Sequence, residues 1–173
     1  PIVVTAVVGA VLMVLTGCLR AGELYTSVQW NVIILIGALI PLGIAMVKTG
    51  AAELLGSAIA GLGAFLPPVA ILMVLFGLTS LLTSVVSNNA TVLVMLPVGT
   101  TTALALGLNP LTFALAVMFA ASTSFLTPTG YQTNTLIWGP GGYRFTDFTR
   151  VGGPLTLILA IVTPLALALF FPL

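Results

Sequence analysis

Forty consecutive residues, Val69 to Leu108, carry no charge, and in their middle sits Ser87-Asn88-Asn89-Ala90-Thr91. An unpaired amide or hydroxyl in hydrocarbon costs of order 2–7 kcal/mol, so this cluster needs partners. A bilayer-crossing chain tolerates broken backbone only where it is buried in protein or lines a cavity. The cluster is therefore the first candidate for a site, and its neutral polar groups suit a small polar ligand or an ion.

Composition fixes the class. Of 173 residues, 60% are hydrophobic and only 4% are charged, against about 25% in an ordinary soluble domain. So few charges do not make a soluble surface, and the chain reads as all-α integral membrane. A net charge of +1 is too small to suggest nucleic acid as a partner. There is no histidine, and the only carboxylates are Glu23, Glu53 and Asp147. A hydrolase triad, a histidine metal site and a carboxylate dyad are out of reach, and the chain does not read as an enzyme. Cys18, the single cysteine, reads as packing. The start at Pro1, with no signal-peptide pattern, reads as a piece of a longer chain.

Ile2 to Leu19 is a first apolar run, ended by Arg20 and Glu23, and Tyr25 and Trp30 bracket the next entry as interfacial aromatics do. Asn31 to Val47 is a second span, kinked at Pro41 and closed by Lys48-Thr49-Gly50. Ala51 to Leu66 reads as a helix near the interface that stops at Pro67-Pro68. Val69 to Leu108 allows two readings. One is two full spans joined by an exposed turn; the other is a re-entrant hairpin whose half-helices meet at Ser87–Thr91. Leu111 to Phe125 ends in Ser122-Thr123-Ser124 and leads to a second polar island, Thr127 to Thr135, where Pro128 and Gly130 break helices. Tyr143 to Arg150 reads as a charged loop, with Arg144, Asp147 and Arg150 anchoring a last span from Val151 to Leu173.

With a hairpin tip and a mid-span break at the islands, the Arg20 loop and the Arg144/Arg150 loop share one side, and Lys48 lies on the other. Lysine and arginine favour the cytoplasmic side, which puts the Arg loops inside and the last residues outside.

Interrupted helices serve ion and anion binding. A half-helix N-terminus offers free N–H groups and a positive dipole end to an anion, while unwound carbonyls and hydroxyls offer oxygens to sodium. Ser87 suits an N-cap for a helix starting near Asn89. Asn89, Ala90 and Thr91 would then present free N–H groups at the tip. Thr83 lies one turn before Ser87, so its hydroxyl faces the same place. The plainer alternative is polar glue between packed helices, and for the second island a simple proline kink.

Ser87-Asn88-Asn89-Ala90-Thr91 resembles the Ser-Asn-Thr signature of the divalent anion/sodium symporter family. The stretch from Thr127 to Arg150, TPTGYQTNTLIWGPGGYRFTDFTR, is similar to the C-terminal part of its bacterial sulfate/dicarboxylate permeases. The resemblance implies a transporter repeat, the second of two inverted repeats, with a re-entrant helical hairpin and an unwound transmembrane helix. It implies two parts: scaffold-like residues 1–66 and transport-like residues 67–173. It implies one sodium ion on Thr83, the Val86 carbonyl, Asn88 and the Leu126 carbonyl. Ser87, Asn88, Asn89, Thr127 and Pro128 would line a pocket for a small divalent anion. It further implies symport, a homodimer in the inner (plasma) membrane in contact with lipid, and a missing N-terminal repeat. Asn89 departs from the threonine of the signature; both residues can donate to an anion. The rivals are a proton-coupled carrier, which wants an ionisable residue at mid-membrane, an ion channel and a structural subunit.

Overall fold

The structure, a computed structural model, describes residues 2–20, 22, 23, 26, 28 and 30–173. The expectations placed on Pro1 and Tyr25 lie outside these residues. The described residues are helical, with no strand among them. In chain order the helices are α1 (Ile2–Leu15), α2 (Trp30–Lys48), α3 (Ala51–Ala60), α4 (Pro68–Thr83), α5 (Asn88–Ala105), α6 (Pro110–Ala121), α7 (Gln132–Trp138) and α8 (Phe145–Phe170), with a 3-10 turn at Gly61–Ala64.

Contacts divide the chain into a unit of residues 1–37 and a unit of residues 38–173. In the first, α1 is apolar on every side and buries none of its residues. It ends at Leu15, four residues earlier than the charge-free run suggests. Gly17 takes φ +75°, and the Leu19 N–H closes the helix on the Met13 carbonyl at 3.1 Å, the left-handed helix end that glycine favours. Cys18 is exposed and accepts from Thr16 Oγ1 at 3.4 Å.

The second unit has its core where α4, α5 and α6 meet. Ile71, Leu72 and Leu75 of α4 pack with Val98 of α5 and with Phe113, Ala116 and Val117 of α6. Gly99 permits the closest approach: a Cβ there would meet Val117 Cγ2 at 3.0 Å and Leu75 Cδ2 at 3.3 Å. Asn109 starts α6 by accepting the Leu111 N–H at 3.0 Å, with Pro110 at the first helical position, where its missing N–H costs nothing. The C-terminal end of α8 is tied to the start of α6, since Thr112 donates to the Pro172 carbonyl at 2.7 Å.

The helix α3 packs on α5 through its small residues. Ala52, Gly56 and Ile59 are buried, Thr101 reaches the Ala52 carbonyl at 3.1 Å, and Thr102 reaches that of Gly56 at 3.3 Å. At 26 residues, α8 is long and apolar enough to cross a membrane, and α2 with α3 counts as a second such span only if the pair is taken as one bent helix.

Two boundaries differ from the sequence reading. The charged loop at Tyr143–Arg150 is mostly helix, because α8 begins at Phe145. Asp147 accepts the Arg144 N–H at 2.7 Å and returns its own N–H to the Arg144 carbonyl at 3.0 Å, so the carboxylate starts the helix. The second irregular stretch is 122–131 rather than Thr127–Thr135, since α7 already begins at Gln132. The hydroxyls of Ser122 and Thr123 turn back to the Met118 and Ala120 carbonyls, offering the backbone an alternative to helix. Pro128 then disfavours helix at Thr127.

Candidate functional site

Both islands interrupt helices, and α4 and α6 end side by side. After Thr83 the chain breaks over Ser84–Ser87 and restarts as α5 at Asn88, one residue earlier than the expected start near Asn89. Ser87 is the N-cap, and its hydroxyl accepts the Ala90 N–H at 3.4 Å. The Thr91 N–H is taken by the Ser87 carbonyl at 2.9 Å. Of the three N–H groups expected to be free, Ala90 and Thr91 are therefore engaged.

A seam of hydroxyl–carbonyl bonds joins the two breaks. Ser80 Oγ and Thr123 Oγ1 lie 2.5 Å apart. Ser124 donates to the Thr83 carbonyl at 3.1 Å, and Thr127 donates to the Ser84 carbonyl at 2.5 Å. Gly130 completes the seam: a Cβ there would collide with Ser124 Oγ and sit 2.9 Å from the Thr83 carbonyl oxygen. Thr127 Oγ1 also accepts the Gly130 N–H at 3.1 Å. Ser80, Thr83, Ser84, Thr123 and Ser124 are all buried.

Thr83 Oγ1 lies 2.8 Å from both Asn88 Oδ1 and the Ala121 carbonyl oxygen. One hydroxyl carries one proton and cannot serve both acceptors fully.

The expected residues therefore separate into groups. Thr83 and Asn88 are in direct contact. Thr127 docks on the first break, and the carbonyl of the preceding residue, Leu126, accepts from Thr149 Oγ1 at 3.0 Å. Pro128 is buried, with its carbonyl on Thr135 Oγ1 at 2.8 Å. Ser87, Asn89 and Val86 are exposed, and no hydrogen bond among the described residues joins Val86 or Asn89 to the second island.

Sequence reasoning missed the clamps behind the second island. Asn134 holds it with both protons of its amide, donating to the Ser124 carbonyl at 2.8 Å and to that of Thr127 at 3.2 Å. Gly152 of α8 is buried against Phe125, and a Cβ there would collide with the Phe125 carbonyl. A cavity of about 330 Å³ opens beside these clamps, lined by Phe125, Asn134, Tyr143, Phe148, Gly152 and Leu155 among others. It does not touch the first island. The signal for Asn134 was weak: one amide within a run of polar residues.

The arrangement has a definite chemical character. It concentrates neutral oxygens and broken backbone, and neither island carries a charged side chain. Among the described residues no cluster of three or more histidine, cysteine, aspartate or glutamate residues could hold a transition metal. Paired helix breaks of this kind, in an apolar helical chain, are the way membrane transporters build sites for ions and anions.

Residues 1–118 match the model of a family described as citrate transporter. The chain is 51% identical to an uncharacterized transporter of Synechocystis, over 99% of its own length and 28% of the relative's. It is 34% identical to sodium/sulfate cotransporter 1 of Chlamydomonas reinhardtii, over 91% of the chain and 18% of that relative. It is 28% identical to the sodium-dependent high-affinity dicarboxylate transporter 3 of Caenorhabditis elegans, over 86% of the chain and 26% of that relative. The chain belongs to the family described as citrate transporter, and with relatives named sodium/sulfate and dicarboxylate transporters it is a divalent anion/sodium symporter permease, a multi-pass membrane transporter type and not an enzyme. It spans less than a third of the length of each of these relatives.

Proposed function

We propose that the chain is the C-terminal repeat of a sodium-coupled symporter for a divalent anion, sulfate or dicarboxylate, acting in the inner (plasma) membrane. The observation that carries this is the seam between two helix breaks, Thr127 on the Ser84 carbonyl and Ser124 on that of Thr83. Support also comes from length. At about 1.5 Å per residue, α4 (16 residues) and α6 (12 residues) reach about 24 and 18 Å, short of a hydrocarbon core of about 30 Å. Helices that stop at polar breaks before crossing support a re-entrant hairpin at α4–α5 and an unwound helix at 122–131.

Sodium enters as a transported substrate. The hydroxyl of Thr83, the amide oxygen of Asn88 and the carbonyls of Val86 and Leu126 are its proposed oxygens. Ser87, Asn88, Asn89, Thr127 and Pro128 are the proposed anion contacts. With no lysine or arginine in either island, helix-end N–H groups, hydroxyls and the bound cation hold the anion. Anion binding thus depends on sodium. Residues 1–66 serve as scaffold and 67–173 as the moving part, completed by an N-terminal repeat and a second subunit.

Neither island holds a carboxylate, histidine, lysine or arginine, which disfavours a proton-coupled carrier. The test is uptake of labelled sulfate and succinate by the full-length transporter in proteoliposomes, with sodium and pH gradients set separately. Uptake is expected to rise with external sodium, and a pH gradient is expected not to replace it. Full activity in sodium-free buffer driven by pH alone would overturn the coupling.

A further inference from the structure

A threonine inside a helix ordinarily returns its hydroxyl to the carbonyl three or four residues back. Thr79, Thr100, Thr101 and Thr102 all do so here, at 2.7–3.0 Å. Thr91 does not. It is fully buried, yet its Oγ1 has no hydrogen-bond partner. Leaving a buried hydroxyl unmade costs about 1–3 kcal/mol, and such a group calls for an explanation, an ion or a water among the first.

Its position supplies one. Thr91 stands three residues after Asn88 on α5, and residues so spaced are neighbours on one helix face, about 5–6 Å apart at Cβ. Helical side chains also tilt toward the N-terminus, here toward the break. Asn88 in turn touches Thr83 at 2.8 Å. Two hydroxyls on fully buried threonines and the half-buried Asn88 amide oxygen thus gather at the start of α5. We infer that Thr91 is a further sodium ligand, its hydroxyl oxygen held unpaired in the ion-free protein and turned to the cation when sodium binds beside Thr83 and Asn88. This rests on the sodium reading above and goes beyond it, because the resemblance to the symporter signature assigns no such role to Thr91. The hydroxyl proton then has the Ser87 carbonyl, four residues back, as an acceptor.

The experiment is a sodium titration of thermal stability on the purified full-length transporter, a readout independent of uptake, since an ion that binds only the folded state raises its stability. Thr91→Val keeps the shape and removes the oxygen. Its half-saturating sodium concentration is expected to rise about tenfold, the scale of one hydrogen-bond-like contact to a charge. Its ion-free stability is expected to equal or exceed the wild type, because no bond is lost. Thr91→Ser keeps the oxygen and should keep the wild-type titration. Thr156→Val, at the other buried unpartnered hydroxyl, should leave the titration unchanged. Asn88→Leu tests the underlying reading and should remove the sodium response. If Asn88→Leu removes it while Thr91→Val titrates like the wild type, the Thr91 assignment fails alone. If Thr91→Val is less stable than the wild type without sodium, the hydroxyl is structural and the assignment fails. If Asn88→Leu still responds to sodium, the sodium site itself is elsewhere and Thr91 falls with it.

Discussion

The contact of α3 with α5 and the seam between the two helix breaks use the same residue types to opposite ends. Both are made of glycine and threonine or serine, and both send hydroxyls to carbonyls on another element. At α3–α5, Thr101 and Thr102 also bond the Pro97 and Val98 carbonyls of their own helix. The helix stays whole, and the hydroxyls add a second contact to backbone groups already satisfied. At the seam, Ser124 and Thr127 reach carbonyls at the very end of α4, beyond the reach of its own ladder. Here the side chains replace helix bonds that are no longer made. The lesson is that polar residues in an apolar chain are glue when the backbone behind them is intact, and candidates for a site when it is broken.

The largest effect that separates the two regions is expected from Asn88→Leu in the full-length protein. It should abolish sodium-coupled uptake while membrane insertion, followed by surface labelling, stays near wild type; wild-type uptake would move the site elsewhere. Next comes Gly130→Ala, which drives a methyl group into Ser124 and toward the Thr83 carbonyl. A loss of about 1–3 kcal/mol is expected from such overpacking, together with weakened sodium binding, both readable in one sodium-dependent melting series. Gly56→Ala creates a similar collision with Thr101 on the other side of α5. A comparable loss of stability of about 1–3 kcal/mol is expected, but with the half-saturating sodium concentration unchanged. A shifted sodium titration in this variant would erase the distinction between the regions. The smallest effect is expected from Thr102→Val, about 0.5–1.5 kcal/mol of stability by the usual worth of one hydrogen bond, with transport kinetics unaltered.

Much of this contrast was legible in the sequence, because helix-breaking chemistry is local. Pro128 and Gly130, and the Ser-Asn-Asn cluster between apolar runs, mark both breaks without reference to the rest of the chain. What could not be read was which distant group would satisfy each broken segment. Asn134 as a clamp, Thr149 on the Leu126 carbonyl and Ser80 against Thr123 depend on how α4, α6, α7 and α8 come together. Boundaries failed for a related reason. The start of α8 at Phe145 was hidden because Asp147 looks like a loop charge until its bond to the Arg144 N–H is seen. The orphan hydroxyl of Thr91 was invisible because a sequence shows that a threonine is present, not that its usual acceptor goes unused.

Gly130 and Gly152 bring the second island against its neighbours with no side chain of their own in the way. A wall built this way has few rotamers to exchange. Elsewhere a core absorbs a small misfit by letting a leucine or methionine hop to another well. Here any displacement of the Thr83 carbonyl is felt by Gly130 and by the Ser124 hydroxyl bonded to it, and any displacement of Phe125 by Gly152. The unwound stretch is thus gripped like a part held between two jaws. It has lost the order of a helix, and its glycine contacts and hydroxyl bonds leave it little of the room of a loop.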